Sequence, residues 1–137
     1  MNSGRDTGRA AGGFGSLYRH GFARVAVAIP RVTVADPASN AEQIIALARQ
    51  AAGEHAVLTV FPELSLSSYT ADDLFHQDAL HDAVLDALRD LVAASAGLGT
   101  AVVVGVPLRA DGLLFNCAVV VCEGAVRGVV PKSYLPN

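Results

Sequence analysis

At 137 residues, with 52% hydrophobic and 17% charged side chains, the chain has the length of one domain and an unusually apolar composition. A formal charge of −3, no Trp, five Phe and three Tyr leave no electrostatic or stacking case for nucleic acid, nor attraction to an anionic membrane. Mean hydropathy is +0.40, yet no window approaches the roughly 18 uninterrupted apolar residues of a membrane span.

The opening MNSGRDTGRAAGGFGS, residues 1–16, is rich in Gly, with Arg5 and Arg9 as its only basic residues. It lacks the apolar h-region of a secretory signal. Its composition suits a transit peptide or a disordered tail; we read it as the tail of a cytoplasmic protein. The first strand is expected over Ala23 to Ile29, closed by Pro30. Asp36-Pro37 reads as an N-cap followed by Pro at the first helical position, and Ser39 with Glu42 offers a competing capping box. Either start leads into a helix carrying Ile44, Ile45, Leu47, Ala48, Ala51 and Ala52 on one side and ending near Gly53.

A second strand, Ala56 to Phe61, completes a βαβ unit whose two strands would be parallel. The loop from Pro62 to Thr70 follows, with Thr70 and Asp73 as a capping pair. Leu80, Val84, Leu85, Leu88, Leu91 and Val92 then mark an amphipathic helix that turns Asp82, Asp86, Arg89 and Asp90 to water, and Gly97 and Gly99 stop it. Beyond it, Ala101 to Pro107, Leu113 to Cys122 and Ala125 to Val130 read as strands joined by turns at Asp111-Gly112 and Glu123-Gly124, as in antiparallel hairpins. The sum is an α/β fold, a mixed sheet with helices on one face. LTVF, AVVVGV and AVVVC are apolar on both faces, and two helices cannot cover both sides of five strands. The expectation is therefore an incomplete domain that lacks its second layer.

Few residues could carry chemistry. Glu63 follows Pro62 at the carboxyl end of a parallel strand, where ligand sites gather in open α/β sheets. Flanked by Phe61 and Leu64, it reads as a desolvated carboxylate with a raised pKa, suited to a general base, or as a loop acid bonded to backbone amides and water. Lys132, in PKSYLP, is held between prolines and reads as an oxyanion-stabilising ammonium or a solvated surface charge. The two form one site if their strand ends converge. Asp72, Asp73, His76 and Asp78 crowd together, but acidic residues are ordinary at a helix start and the spacing matches no metal-ligand pattern, so no metal is expected. No Gly-rich run joins a strand to a helix to cradle a phosphate. Cys117 and Cys122, five apart on one strand, should face opposite sides and act as core fillers.

FPELSLSSY and PKSYLP resemble two of the three signature segments of the carbon–nitrogen hydrolase (nitrilase) superfamily. YRHGFARVAVA, DPASNAEQI, FPELSLSSYTADDLFHQDAL and the run from VVVGVP to YLPN are together similar to the amino-terminal glutaminase domains of bacterial glutamine-dependent NAD(+) synthetases, from about Tyr18 to Asn137. The resemblance implies a partial nitrilase-like αββα sandwich, with residues 17–137 as the first part of the hydrolase domain. It implies Glu63 as general base, Lys132 as support of the tetrahedral intermediate, and Tyr69 either bordering a glutamine pocket or packing its loop. The nucleophilic Cys belongs to the third segment, which this sequence does not contain. Cys117 falls where the family has an ordinary strand residue, so residues 1–137 alone are expected to be inactive. The implied partners are glutamine, an ATP- and Mg-using synthetase domain that amidates deamido-NAD(+), and further copies in a homo-oligomer. This part itself is expected to hold no cofactor. The alternatives are a stand-alone amidase of the ω-amidase or carbamoylase type, and a non-catalytic remnant serving as an interaction module. Ser68 stands where the family commonly has Gly, which raises a question of backbone conformation in the Glu63 loop.

Overall fold

The computed structural model describes residues 16–134; the 1–16 tail, apart from Ser16, lies outside them. Among the described residues are β1 (Val25–Val27), α1 (Pro37–Gly53), β2 (Leu58–Val60), α2 (Asp78–Ala94), β3 (Ala101–Ala110), β4 (Leu113–Cys122) and β5 (Ala125–Pro131), with 3-10 segments at Leu17–His20 and Tyr69–His76. The strands form one sheet in sequential order. β1, β2 and β3 run parallel, whereas β3, β4 and β5 pair antiparallel.

Strand alternation divides the sheet into two unlike faces. Val102, Val104 and Val106 of β3, with Cys117, Val119 and Val121 of β4, face the helices and form one core with Ile44 and Ala48 of α1 and Val84 and Leu91 of α2. Burying an aliphatic side chain of this size contributes about 1.5–3 kcal/mol, which is why both helices settle on this face. The opposite face carries Val103, Gly105, Asn116, Ala118 and Val120, and no helix among the described residues covers it. At the ends of the sheet Val25, Val27, Ile29 and Val130 are exposed. The mixed sheet with helices on one side is as expected.

Several local expectations shift. The first two strands are shorter than their apolar runs, because only three residues of each find ladder partners. Leu85 lies exposed on α2, and the smaller Ala87 takes the place against the core. Ser68, not Thr70, caps the 3-10 segment, its hydroxyl accepting from Thr70 N at 3.3 Å. Both hairpin turns carry positive φ at both central residues, Asp111 and Gly112, Glu123 and Gly124, as primed turns require. No helix among the described residues is long and apolar enough to cross a membrane.

Of the two competing starts for α1, the structure uses Asp36, whose carboxylate accepts from Ser39 N at 3.1 Å, with Pro37 opening the helix. Asp36→Ala should therefore lower the unfolding free energy by about 1 kcal/mol. Glu42→Ala should leave it within about 0.5 kcal/mol, both read from urea denaturation.

Candidate active site

The site is built at the carboxyl-terminal end of the parallel strands. β2 stops at Val60, opposite Val103, but β3 runs on to Ala110. Residues 61–66 take the vacated place beside it. Phe61 N donates to Val103 O at 2.9 Å, Leu66 N donates to Gly105 O at 3.2 Å, and Gly105 N donates to Ser65 Oγ at 3.4 Å. Pro107 is tolerated in the strand for the same reason. Its missing N–H would point to the side where β2 has already ended, so no ladder bond is lost there.

β2 and β5 are three strand spacings apart, about 14 Å, so residues extending straight from them would not meet. The loop closes this gap by lying on the open face over Gly105. A β-carbon at Gly105 would collide with Leu64 N and stand 2.6 Å from Pro62 O and 2.7 Å from Glu63 C. Only glycine permits this approach of backbone to backbone. A lone Gly inside an apolar strand run is the sequence signal for such a contact.

Glu63 and Lys132 converge. Lys132 Nζ donates to Glu63 Oε1 at 2.9 Å and to Oε2 at 3.2 Å. Asn116 of β4 also donates through Nδ2 to Glu63 Oε1. The backbone joins in, with Lys132 N donating to Asn116 O at 2.8 Å. Asn116 has no place among the candidates read from sequence; its signal is a lone amide within the otherwise apolar run LLFNCAVVVC.

The electrostatics correct one expectation. The Glu63 carboxyl is held below the ordinary glutamate value, chiefly by the hydrogen bond from Lys132, against an opposing push from burial, with further help from Asn116 and the Lys132 charge. Desolvation by Phe61 and Leu64 does not prevail, because the Glu63 side chain remains 39% exposed while its own apolar neighbours turn away into the core. The group is thus a carboxylate at neutral pH, already able to accept a proton.

Tyr69 opens the 3-10 segment with its side chain exposed, and its hydroxyl bonds to none of Glu63, Lys132 and Asn116. Cys117 is buried on the helix face, where burial raises its thiol pKa; its neighbour Asn116 points the other way. Cys122 is half-buried at the far end of β4. Both cysteines are free. Within the acidic cluster, Asp78 pairs with Arg109, which also donates to Phe75 O at 3.2 Å. Among the described residues no group of three or more His, Cys, Asp or Glu is placed to hold a metal.

The carbon-nitrogen hydrolase family model matches residues 24–135. The chain belongs to the carbon-nitrogen hydrolase family. It is 53% identical over 124 residues to the glutamine-dependent NAD(+) synthetase of Mycobacterium tuberculosis (strain H37Rv), covering 90% of this chain and 18% of that protein. The crystal structure of a glutamine-dependent NAD(+) synthetase from Cytophaga hutchinsonii superposes with a TM-score of 0.78 at 26% identity, over 84% of this chain and 20% of that one. A mutant of the amidase from Nesterenkonia sp. AN1, with acrylamide added at its active-site cysteine, gives a TM-score of 0.75 at 22% identity over 85% of this chain and 46% of that one. That last likeness speaks for the nitrilase-like fold alone. The chain spans about a fifth of the length of the curated relatives it matches.

Ser68 does take a conformation that favours glycine, with φ +76° and ψ 143°. A side chain there costs on the order of 1–3 kcal/mol, partly offset by its cap to Thr70. Ser68→Gly should raise the unfolding free energy by about 1 kcal/mol, measured by urea denaturation.

The lowered Glu63 pKa also sets a pH dependence. A carboxyl more acidic in the folded than in the unfolded chain contributes stability above its unfolded pKa and loses it as pH falls through the folded value. The stability difference between wild type and Lys132→Met should therefore narrow steadily through the acid range. Denaturation midpoints at a series of pH values measure it.

Proposed function

We propose that residues 17–137 are the first part of a glutaminase domain of the glutamine-dependent NAD(+) synthetase type, with Glu63 as general base and Lys132 as oxyanion support. The observation that carries this reading is the Lys132–Glu63 pair, with bonds of 2.9 and 3.2 Å on the open face of the sheet. The 53% identity to a glutamine-dependent NAD(+) synthetase over 90% of the chain favours glutamine over other amides.

The nucleophile is a cysteine from outside these residues. Cys117 lies on the wrong face, and Cys122 is six residues along β4 from Asn116, roughly 20 Å away at strand rise. The S–H proton passes to Glu63 as the sulfur attacks the side-chain amide carbon of glutamine. The oxyanion that forms lies beside the Lys132 ammonium. Collapse breaks the C–N bond, and the proton returns from Glu63 to the departing ammonia. Water then attacks the thioester, giving its proton to Glu63; glutamate leaves and the thiol is restored. The ionised state of Glu63 suits the first step. Tyr69, presented on the segment after Ser68, borders the pocket for glutamine in this reading. The ammonia serves a second, ATP- and Mg-using domain that amidates deamido-NAD(+), in a homo-oligomeric cytoplasmic enzyme.

Residues 1–137 alone should release no ammonia from glutamine. A polypeptide carrying them at the length of the synthetase relatives should release it, and Glu63→Ala should slow that release by about a hundred- to ten-thousandfold. Ammonia release by residues 1–137, undiminished release by the Glu63→Ala protein, or a preference for ω-amides or carbamoyl substrates over glutamine overturns the reading.

A further inference from the structure

Among the described residues, Asn116 is the one that bonds to both members of the pair. Its side-chain amide donates to Glu63 Oε1, and its main-chain carbonyl accepts from Lys132 N at 2.8 Å. Its register explains how. Cys117 pairs with Pro131, so Asn116 stands opposite Lys132, on the same face. On the other side Asn116 pairs with Pro107, two residues beyond the Gly105 position over which Glu63 lies. One residue on a ten-residue strand thus gauges the separation between a loop and a strand end that come from opposite sides of it.

The two carboxylate oxygens are consequently unlike. Oε1 receives two donors, Asn116 Nδ2 and Lys132 Nζ. Among the described residues Oε2 receives only Lys132, at the longer 3.2 Å. An oxygen that already accepts two hydrogen bonds is the poorer proton acceptor, because protonation must break one of them. We propose that Asn116 is a positioning residue that occupies Glu63 Oε1, fixes the carboxylate plane, and leaves Oε2 as the oxygen that takes the proton. An apolar side chain at 116 would let the carboxylate rotate between two equivalent oxygens. A carboxylate there would set a second negative charge against Glu63. Lys132 is the only charged group acting on Glu63 among the described residues, so the effect of position 116 stands out cleanly.

The proposal rests on Glu63 acting as the base, and two measurements separate its failure from failure of that reading. The first is kinetic, on the polypeptide of relative-like length. Asn116→Ala should lower kcat for glutamine about tenfold or more at nearly unchanged KM. Asn116→Asp, which keeps the shape, should move the acid limb of kcat/KM to higher pH by about a unit. The second needs no turnover. The Glu63 side-chain carboxyl is followed by carbon NMR in residues 1–137, assigned by its loss in Glu63→Gln and compared with Glu42, Glu54 and Glu123. Its titration should move upward in Asn116→Ala and further in Asn116→Asp, with the other three unmoved. A kcat within twofold of wild type in Asn116→Ala overturns the proposal, as does an acid limb or carboxyl titration unchanged in Asn116→Asp. If the carboxyl titration responds but glutamine is not hydrolysed, the positioning stands and the glutaminase reading falls.

Discussion

The approach of one main chain to another at Gly105 is the constraint on which the site depends. Residues 62–64 lie where a β-carbon would be, and the strand secures the loop on either side of them, at Phe61, Ser65 and Leu66, through both its N–H and its C=O. Without that contact the loop after β2 would rise off the sheet, and Glu63 would stand on the far side of β3 and β4 from Lys132. The geometry of the candidate site begins as an absence of side chain. The Glu63 carboxylate and the Lys132 ammonium are then joined by direct hydrogen bonds.

That arrangement assigns the sheet two separate duties. The helix face is mostly apolar, with the buried Thr59 and Thr100 hydroxyls bonded to each other, and holds the fold; the opposite face holds Glu63, Asn116 and Lys132. Period-two alternation keeps the duties apart even between adjacent residues, so Cys117 belongs to the core while Asn116 belongs to the site. The same alternation explains why the Cys117 thiol is pushed up in pKa while the Glu63 carboxyl is drawn down. One loses water without gaining a partner, and the other gains an ammonium while keeping access to solvent.

Much of this was legible in the sequence. Hydrophobic periodicity located both helices and all five strands, and Asp-Gly and Glu-Gly marked the hairpins, because these signals are local. Position at the end of a parallel strand singled out Glu63, and its flanking prolines singled out Lys132. Their meeting was not legible. It depends on how far a loop can lean across two intervening strands, which no spacing along the chain encodes. The lowered pKa of Glu63 is hidden from sequence for the same reason, since local apolar neighbours are visible there and a partner 69 residues away is not. Asn116 and Gly105 each break an apolar run. Polar and glycine interruptions inside strands are marks of contact with something else, and here both contacts are with the Glu63 loop.

The hairpin turn at Asp111-Gly112 acquires a significance beyond reversing the chain. Its two positive φ values fix the turn at two residues, and so fix which β4 residue lies opposite each residue of β3. A single inserted or deleted residue in that turn, harmless in most surface loops, would rotate all of β4 by half a repeat. Cys117 would come up beneath the carboxylate and Asn116 would be driven among the valines. Length at this corner is therefore under tighter constraint than the identity of almost any side chain near it.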